Sequence, residues 1–201
     1  MKVIGLCGGS GSGKGMVSSF FLKHGIPAID TDAVYRELTS GDSPCLRALT
    51  DEFGKEIIST QGSLNRRALA EIVFTGEGAD ARLKKLNKIA HSFILDETRR
   101  RLDNYKSLGC KAAIVDAPVL FESEFDKECD LIISVIAERE VRIGRIVKRD
   151  NIDRDSAEAR ITSQMSNDEL ISRSNLVIEN NSDLSTLEKR VNEIVDLILN
   201  N

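Results

Sequence analysis

Between residues 8 and 14 the chain reads GGSGSGK, and these residues have the types and spacing that hold phosphate. Glycines at 8, 9, 11 and 13 let the backbone take positive φ angles and turn its N–H groups inward around an anion. Lys14 brings a full positive charge to the outer phosphates of a nucleotide, and a helix starting there adds its dipole and unpaired amides. The stretch follows the pattern G-x-x-x-x-G-K-[ST] except at its last place, where Gly15 stands instead of the hydroxyl residue that normally coordinates Mg2+. Mg2+ keeps several waters in such sites, so a water can fill that place. Ser12, inside the loop, and Ser18, a turn beyond it, are not obvious substitutes. The missing oxygen weakens the argument for metal and leaves the argument for phosphate intact. The competing reading is a flexible Gly/Ser turn with a solvated lysine, and the apolar run before it and helical pattern after it weigh against that.

Carboxylates and arginines supply the rest of a reaction. Asp30 and Asp32 follow an apolar run in PAIDTDAV. In extended chain, residues i and i+2 project to one side, so both carboxylates are expected to face one site; capping a helix N-terminus is the alternative for either. Asp32 is the candidate acceptor for the proton of an attacking hydroxyl, and Asp30 is a candidate metal ligand, directly or through water. Asp116 closes KAAIVD and is the carboxylate expected to hold Mg2+, directly or through water; the alternative is a strand-end aspartate satisfied by backbone amides. Arg142, Arg145 and Arg149, in REVRIGRIVKRD, share one face of a helix by their spacing. That face is either simply solvated, or belongs to a lid whose arginines neutralise a transferring phosphoryl group while closure excludes water. In the second case Arg160 and Gln164, in EARITSQ, extend the same polar surface.

Elements must position these groups. Five runs read as buried strands: KVIGLC (2–7), IPAID (26–30), KAAIVDA (111–117), DLIISVIA (130–137) and NLVIEN (175–180). They are continuously apolar, as parallel strands covered on both faces are. Helical patterns run from Lys14 to His24, stopping at Gly25, and from Leu184 to Leu199. The alternation predicts a doubly wound α/β domain whose ligands bind at the carboxyl ends of its strands. From Thr31 to Leu108 no strand is evident; ALAEIVF (68–74) and LKKLNKIAHSFILDETRRRL (83–102) are helical, and the excursion reads as a substrate-binding insertion. With no internal repeat or low-complexity linker, one domain over 1–201 is expected.

Composition sets limits on function. The chain has 201 residues, 41% of them hydrophobic, enough for one compact domain. A formal charge of −4 argues against nucleic acid or anionic membrane as a partner, so an anionic ligand must be captured by local geometry. No signal-peptide pattern and no window of about 18 apolar residues is present. Cys7, Cys45, Cys110 and Cys129 are scattered and read as reduced, mostly buried thiols of a cytoplasmic protein. The apolar helices of the insertion bury against one another or against a second copy, which leaves a monomer or a weak homo-oligomer.

Several stretches together resemble the dephospho-coenzyme A kinase family: IGLCGGSGSGK, IDTDAV, GSLNRRALAEIVF, LNKIAHSFI, DAPVLFE, RIVKRD, ARITSQMS and LVIENN. DAPVLFE with LNKIAH in this order is much more specific than the phosphate loop alone. The resemblance implies a three-layer α/β/α P-loop NTPase core with a parallel five-stranded sheet. The core would occupy about 1–32, 109–137 and 173–201, with a helical coenzyme A-binding insertion at about 33–108 and a lid at about 138–172. It implies ATP-dependent phosphorylation of the ribose 3′-hydroxyl of dephospho-coenzyme A with Mg2+. By motif, Gly11, Ser12, Gly13, Lys14, Gly15 and Met16, with Gly8 and Gly9, would bind ATP phosphates, and Asp32 would be the base near the 3′-hydroxyl. Lys14 and Arg145 would stabilise the transferring group; Arg149 and Asn180 would lie near the nucleoside. Arg66, Asn87, His91 and the segment Pro118, Leu120, Phe121 and Glu122 would shape the acceptor site, with a packed helix histidine as the alternative for His91.

The sequence departs from the family pattern at four places. Gly15 replaces Ser/Thr, Asn65 stands where Asp is common, Ser92 where proline often follows the histidine, and Ser174-Asn175 where Ala-Asp is usual. Only Gly15 touches a direct metal ligand. Two other readings stay open at this level: a kinase for another nucleoside-like acceptor, and a nucleotide-binding protein with impaired catalysis.

Overall fold

The structure, a computed structural model, describes residues 1–200. The chain divides into two compact units: Met1–Ile29 with the chain from Leu102 onward, and Asp30–Arg101.

Five strands form one sheet: β1 (Lys2–Cys7), β2 (Ala28–Asp30), β3 (Ala112–Asp116), β4 (Leu131–Ile136) and β5 (Leu176–Glu179), in the order β2-β3-β1-β4-β5. β1 is central and runs parallel to β3 and to β4, and β4 runs parallel to β5. The expected strands are all present: KVIGLC is a strand over its whole length, and the other four are each shorter by two residues. Helices follow in chain order as α1 (Lys14–Lys23), α2 (Thr31–Leu38), α3 (Pro44–Phe53), α4 (Arg66–Phe74), α5 (Ala79–Ser107), α6 (Arg139–Asp150), α7 (Arg154–Thr162), α8 (Asn167–Ser172) and α9 (Leu184–Asn200).

Strand alternation sorts the first unit into layers. Ile4, Leu6, Ile133, Val135 and Ile178 join Val17, Phe20 and Phe21 of α1 and Leu187, Val191 and Ile194 of α9 in one buried cluster. Burying each such side chain contributes roughly 1.5–3 kcal/mol before entropy is counted. Gly5, one residue out of phase, meets the opposite layer. A Cβ on Gly5 would lie 2.7 Å from Leu120 Cδ2 and 3.0 Å from Cys129 Sγ, so the sheet admits Leu120 only because residue 5 has no side chain. On that face the Cys7 thiol lies 3.1 Å from Ser134 Oγ. Burial pushes the Cys7 thiol pKa up, and pushes that of Cys129 to about 12, so neither is a ready nucleophile. All four cysteines are free.

α1 ends in a turn that the sequence specifies. Gly25 takes φ +74°, and the amides of Gly25 and Ile26 return to the carbonyls of Leu22 and Phe21. α6 and α7 pack through Ile143, Ile146, Ala157 and Ile161.

The second unit is helical around its own core of Cys45, Leu46, Leu49, Phe53, Ile57, Leu64, Leu69 and Val73. Ile58 and Leu64 form an isolated antiparallel bridge within it. Ser43 caps α3 at Leu46 N (3.0 Å), and Asn65 caps α4 at Ala68 N (3.2 Å), so the Asn that departs from the family pattern still does an Asp-like job. Along α5, Arg100 and Arg101 hold the Glu97 carboxyl down at about 2.

The expectation that Asp30 and Asp32 lie side by side on extended chain is corrected here. β2 ends at Asp30 and α2 begins at Thr31, so the two-residue strand period stops where it was applied. Asp30 turns its Oδ1 back onto the amides of Asp32 (2.9 Å) and Ala33 (3.0 Å), capping α2, and its other oxygen lies 3.6 Å from Arg36.

Candidate functional site

The loop 8–14 leaves the C-terminal end of β1, the strand on either side of which the chain order diverges. Such switch points open a crevice at the carboxyl edge of a sheet. β3 lies directly alongside, with Leu6 in register with Asp116, so the loop and that aspartate emerge at the same edge.

Inside the loop, Gly11 (φ +79°) and Gly13 (φ +92°) hold left-handed backbone that only glycine takes cheaply. They also lack room for a side chain. A Cβ on Gly11 would fall 2.6 Å from the Arg142 carbonyl oxygen, and one on Gly13 would fall 2.1 Å from Asn180 Nδ2. α2, α3, α4, α7 and α8 are each capped by a side chain, whereas Gly13, at the N-cap of α1, offers none. A ten-residue helix thus presents its positive end at the loop without an internal acceptor side chain.

Lys14, the first residue of α1, forms an ion pair with Asp116, and both side chains are largely buried. The two groups singled out for phosphate and metal chemistry therefore meet, and the reading of Asp116 as a strand-end acid satisfied by backbone alone does not describe it.

Behind the loop, side chains engage its carbonyls. Asn180, buried at the end of β5, donates from Nδ2 to Ser12 O (2.7 Å). Arg145 reaches Gly11 O at 3.2 Å, Ser12 O at 3.4 Å and Asn180 Oδ1 at 3.4 Å. Arg142, 4% exposed, donates from Nε to Ser10 O (2.9 Å); burial lowers its pKa. Arg142, Arg145 and Arg149 do not act alike: the first two reach the loop, while Arg149 pairs with Asp150, which it holds down at about 2. Arg160 also turns to Asp150 and Gln164 to Ser10, so these two do not extend one surface.

A cavity of about 160 Å3 opens beside the loop, lined by Gly8, Gly9, Pro118, Phe121, Glu122 and Gln164, among others. Phe121 is braced from behind by the Arg173 guanidinium, 4.0 Å from its ring centre. Leu120, expected at the acceptor site with its neighbours, is fully buried against Gly5 and belongs to the core. Ser12 is also buried, and its hydroxyl has no hydrogen-bond partner among the described residues. Gly15 and Met16 are exposed on the first turn of α1.

The remaining expected site residues belong to the unit Asp30–Arg101. Asp32 is exposed in the first turn of α2, and its carboxylate makes no hydrogen bond or ion pair among the described residues. Arg66 is exposed at the start of α4; Asn87 is exposed and His91 half-buried, one turn apart on α5. Sequence reasoning missed the holding roles of Arg142 and Gln164. Their signal was faint: an arginine on the inward side of a helical period, and a glutamine in a loop.

Sheet order, the glycine loop, a lysine heading α1 and an aspartate on the adjoining strand define a P-loop kinase fold. A model of the family described as dephospho-CoA kinase matches residues 2–186. A protein named dephospho-CoA kinase from Fusobacterium nucleatum is 37% identical over 198 residues, covering 98% of this chain and 99% of the relative. Among solved structures, TT1252 from Thermus thermophilus superposes with a TM-score of 0.80 at 28% identity, covering 98% of this chain and 97% of that one. The dephospho-CoA kinase from Campylobacter jejuni shares the fold with a TM-score of 0.74 at 20% identity, covering 100% of this chain and 98% of that one. The chain belongs to the dephospho-CoA kinase family.

The loop geometry makes a prediction about its glycines. Gly13→Ala forces a Cβ into Asn180 from a left-handed backbone and is expected to weaken ATP binding about tenfold or more. Gly15→Ala, whose Cβ meets nothing within 4 Å, is expected to bind ATP like the parent. Titration calorimetry of the two variants checks the contrast; equal losses would show that the loop shape does not govern binding.

Proposed function

We propose that this chain transfers the γ-phosphoryl group of ATP to the ribose 3′-hydroxyl of dephospho-coenzyme A, giving coenzyme A and ADP. The observation that carries the reading is the Lys14–Asp116 pair beside the glycine loop, in a chain matched over 2–186 by that family. Phosphoryl transfer asks a protein mainly for positioning and charge stabilisation, and these residues supply both.

In this reading the loop amides and the N-terminus of α1 hold the ATP phosphates. Lys14 leaves Asp116 for the outer phosphates and bears the charge that develops on the transferring group. Arg145, whose contacts to the loop carbonyls are long, turns to the same group from α6. Asp32 accepts the hydroxyl proton; its free, exposed carboxylate suits the task, whereas that of Asp30 is engaged in capping. Pro118, Phe121 and Glu122 are acceptor-site residues beside the loop, and the unit Asp30–Arg101 carries the acceptor-binding helices with Arg66, Asn87 and His91. Asn180 supports the loop next to the nucleoside, and Arg149 comes to the nucleoside from the lid, 138–172. Free thiols and dependence on ATP suit a cytoplasmic setting.

The donor set fits Mg2+ that arrives with ATP. No group of three or more His, Cys, Asp and Glu among the described residues forms a metal cluster, and Asp116 is an 8% exposed carboxylate at the loop. Mg2+ is commonly held by one or two carboxylates with substrate phosphates and water. Asp116 is the residue that would hold it, directly or through water, and the ion would neutralise charge on the β- and γ-phosphates. The hydroxyl that usually joins it is missing at Gly15, where a side chain has open space.

ATP-dependent phosphorylation of dephospho-coenzyme A, measured across a Mg2+ titration, tests the proposal. The parent chain is expected to turn over, and Gly15→Ser to lower its Mg2+ requirement by roughly threefold to tenfold. Tight ATP binding without turnover would favour a nucleotide binder and overturn the kinase reading. Asp32→Asn is expected to lower kcat by about 10²–10⁴-fold while changing ATP affinity less than about twofold. Equal losses in both would remove Asp32 as the base.

A further inference from the structure

Ser10 stands midway along the loop with every polar group engaged by side chains from elsewhere. Its N–H donates to Gln164 Oε1 (2.8 Å), its carbonyl accepts from Arg142 Nε (2.9 Å) and its hydroxyl accepts from Gln164 Nε2 (3.1 Å). Gln164 Oε1 also accepts from Arg142 Nη2 (3.1 Å), which ties the two holders together. Arg142 reaches Asn167 Oδ1 at 3.4 Å, and Asn167 donates to Ala137 O (3.0 Å), just past the end of β4. The clasp is therefore anchored in the sheet that carries the loop. It also explains Gly9: a Cβ there would lie 2.3 Å from Arg142 Nη2 and 3.1 Å from Gln164 Oε1.

The Ser10 amide is thus not one of the N–H groups offered to phosphate. It fixes the loop instead, so that the amides nearer α1 keep their direction. Gln164 is the one side chain that holds both the N–H and the hydroxyl of Ser10. It lies in the short connection between α7 and α8, outside the loop and outside the phosphate motif.

We propose that Gln164 is a positioning residue for nucleotide binding: by holding Ser10 it keeps the phosphate loop in its binding shape. The proposal rests on the reading of residues 8–14 as the ATP site. It does not involve the base, and because Gln164 also lines the cavity beside the loop, it is tested on ATP affinity without acceptor.

The test uses the full chain with two substitutions. Gln164→Leu keeps the bulk and removes all three hydrogen bonds. Gln164→Glu keeps an acceptor for the Ser10 amide and for Arg142, and accepts from the Ser10 hydroxyl, which reverses its role. Titration calorimetry with ATP is expected to show Gln164→Leu weakened about tenfold and Gln164→Glu within about threefold of the parent, the added charge being neutralised by Arg142. In turnover assays Gln164→Leu is expected to raise KM for ATP by a similar factor. Should Gln164→Leu fail to fold, Gln164→Asn, too short to reach Ser10, makes the same comparison. ATP affinity unchanged in Gln164→Leu or Gln164→Asn overturns the proposal, as does an equal loss in Gln164→Glu. Because affinity is read without acceptor, a parent chain that binds ATP but leaves dephospho-coenzyme A untouched overturns the functional reading and still decides the role of Gln164.

Discussion

A loop that offers its N–H groups to an anion must turn its carbonyl groups the other way, and those carbonyls need partners. Buried backbone acceptors left unpaired cost roughly 1–3 kcal/mol each. The site is organised around this requirement. Ser10 O is met by Arg142, Gly11 O by Arg145, and Ser12 O by Asn180 and Arg145. The donors come from α6 and the end of β5, so the phosphate loop is shaped by residues that follow it by well over a hundred positions. The glycines are the other half of the same arrangement. At 9, 11 and 13 a Cβ would strike those very donors or the α6 backbone that carries them.

The electrostatics follow from the charge balance. With a net charge of −4, the chain exerts no general pull on a polyphosphate, so capture is local. Lys14, Arg142 and Arg145 are gathered at the loop, where Asp116 pairs with Lys14. A buried ion pair gives up hydration on both sides and adds little to stability by itself. Its value here lies in function: under the proposed mechanism each partner has a second use, the lysine on phosphate and the aspartate on the metal.

Much of this was legible in the sequence. The buried strands announced themselves as unbroken apolar runs, and the phosphate loop, α1 and α9 by glycine placement and helical spacing. Asp116 could be placed because a polar residue ending an apolar strand marks a carboxyl edge. Asp30 and Asp32 were harder, because a period of two holds only within a strand, and the chain turned helical at Thr31. Leu120 sat in a recognisable motif, yet its packing depended on Gly5, far away in sequence. The holding roles of Arg142 and Gln164 escaped notice because spacing assigns a residue to a helix face or a loop but does not say what that residue will touch. Contacts between the ends of the sheet and α6 to α8 are tertiary, and local pattern carries no trace of them.

The central claim is that this loop binds nucleotide through its phosphates, with Lys14 exchanging Asp116 for the outer ones. Calorimetric titration of the parent chain and Lys14→Met with ATP and with AMP measures it most directly. The account predicts that Lys14→Met binds ATP about tenfold or more weakly while AMP affinity changes by less than about twofold. ATP affinity unchanged by the substitution, or lost equally for AMP, would contradict it.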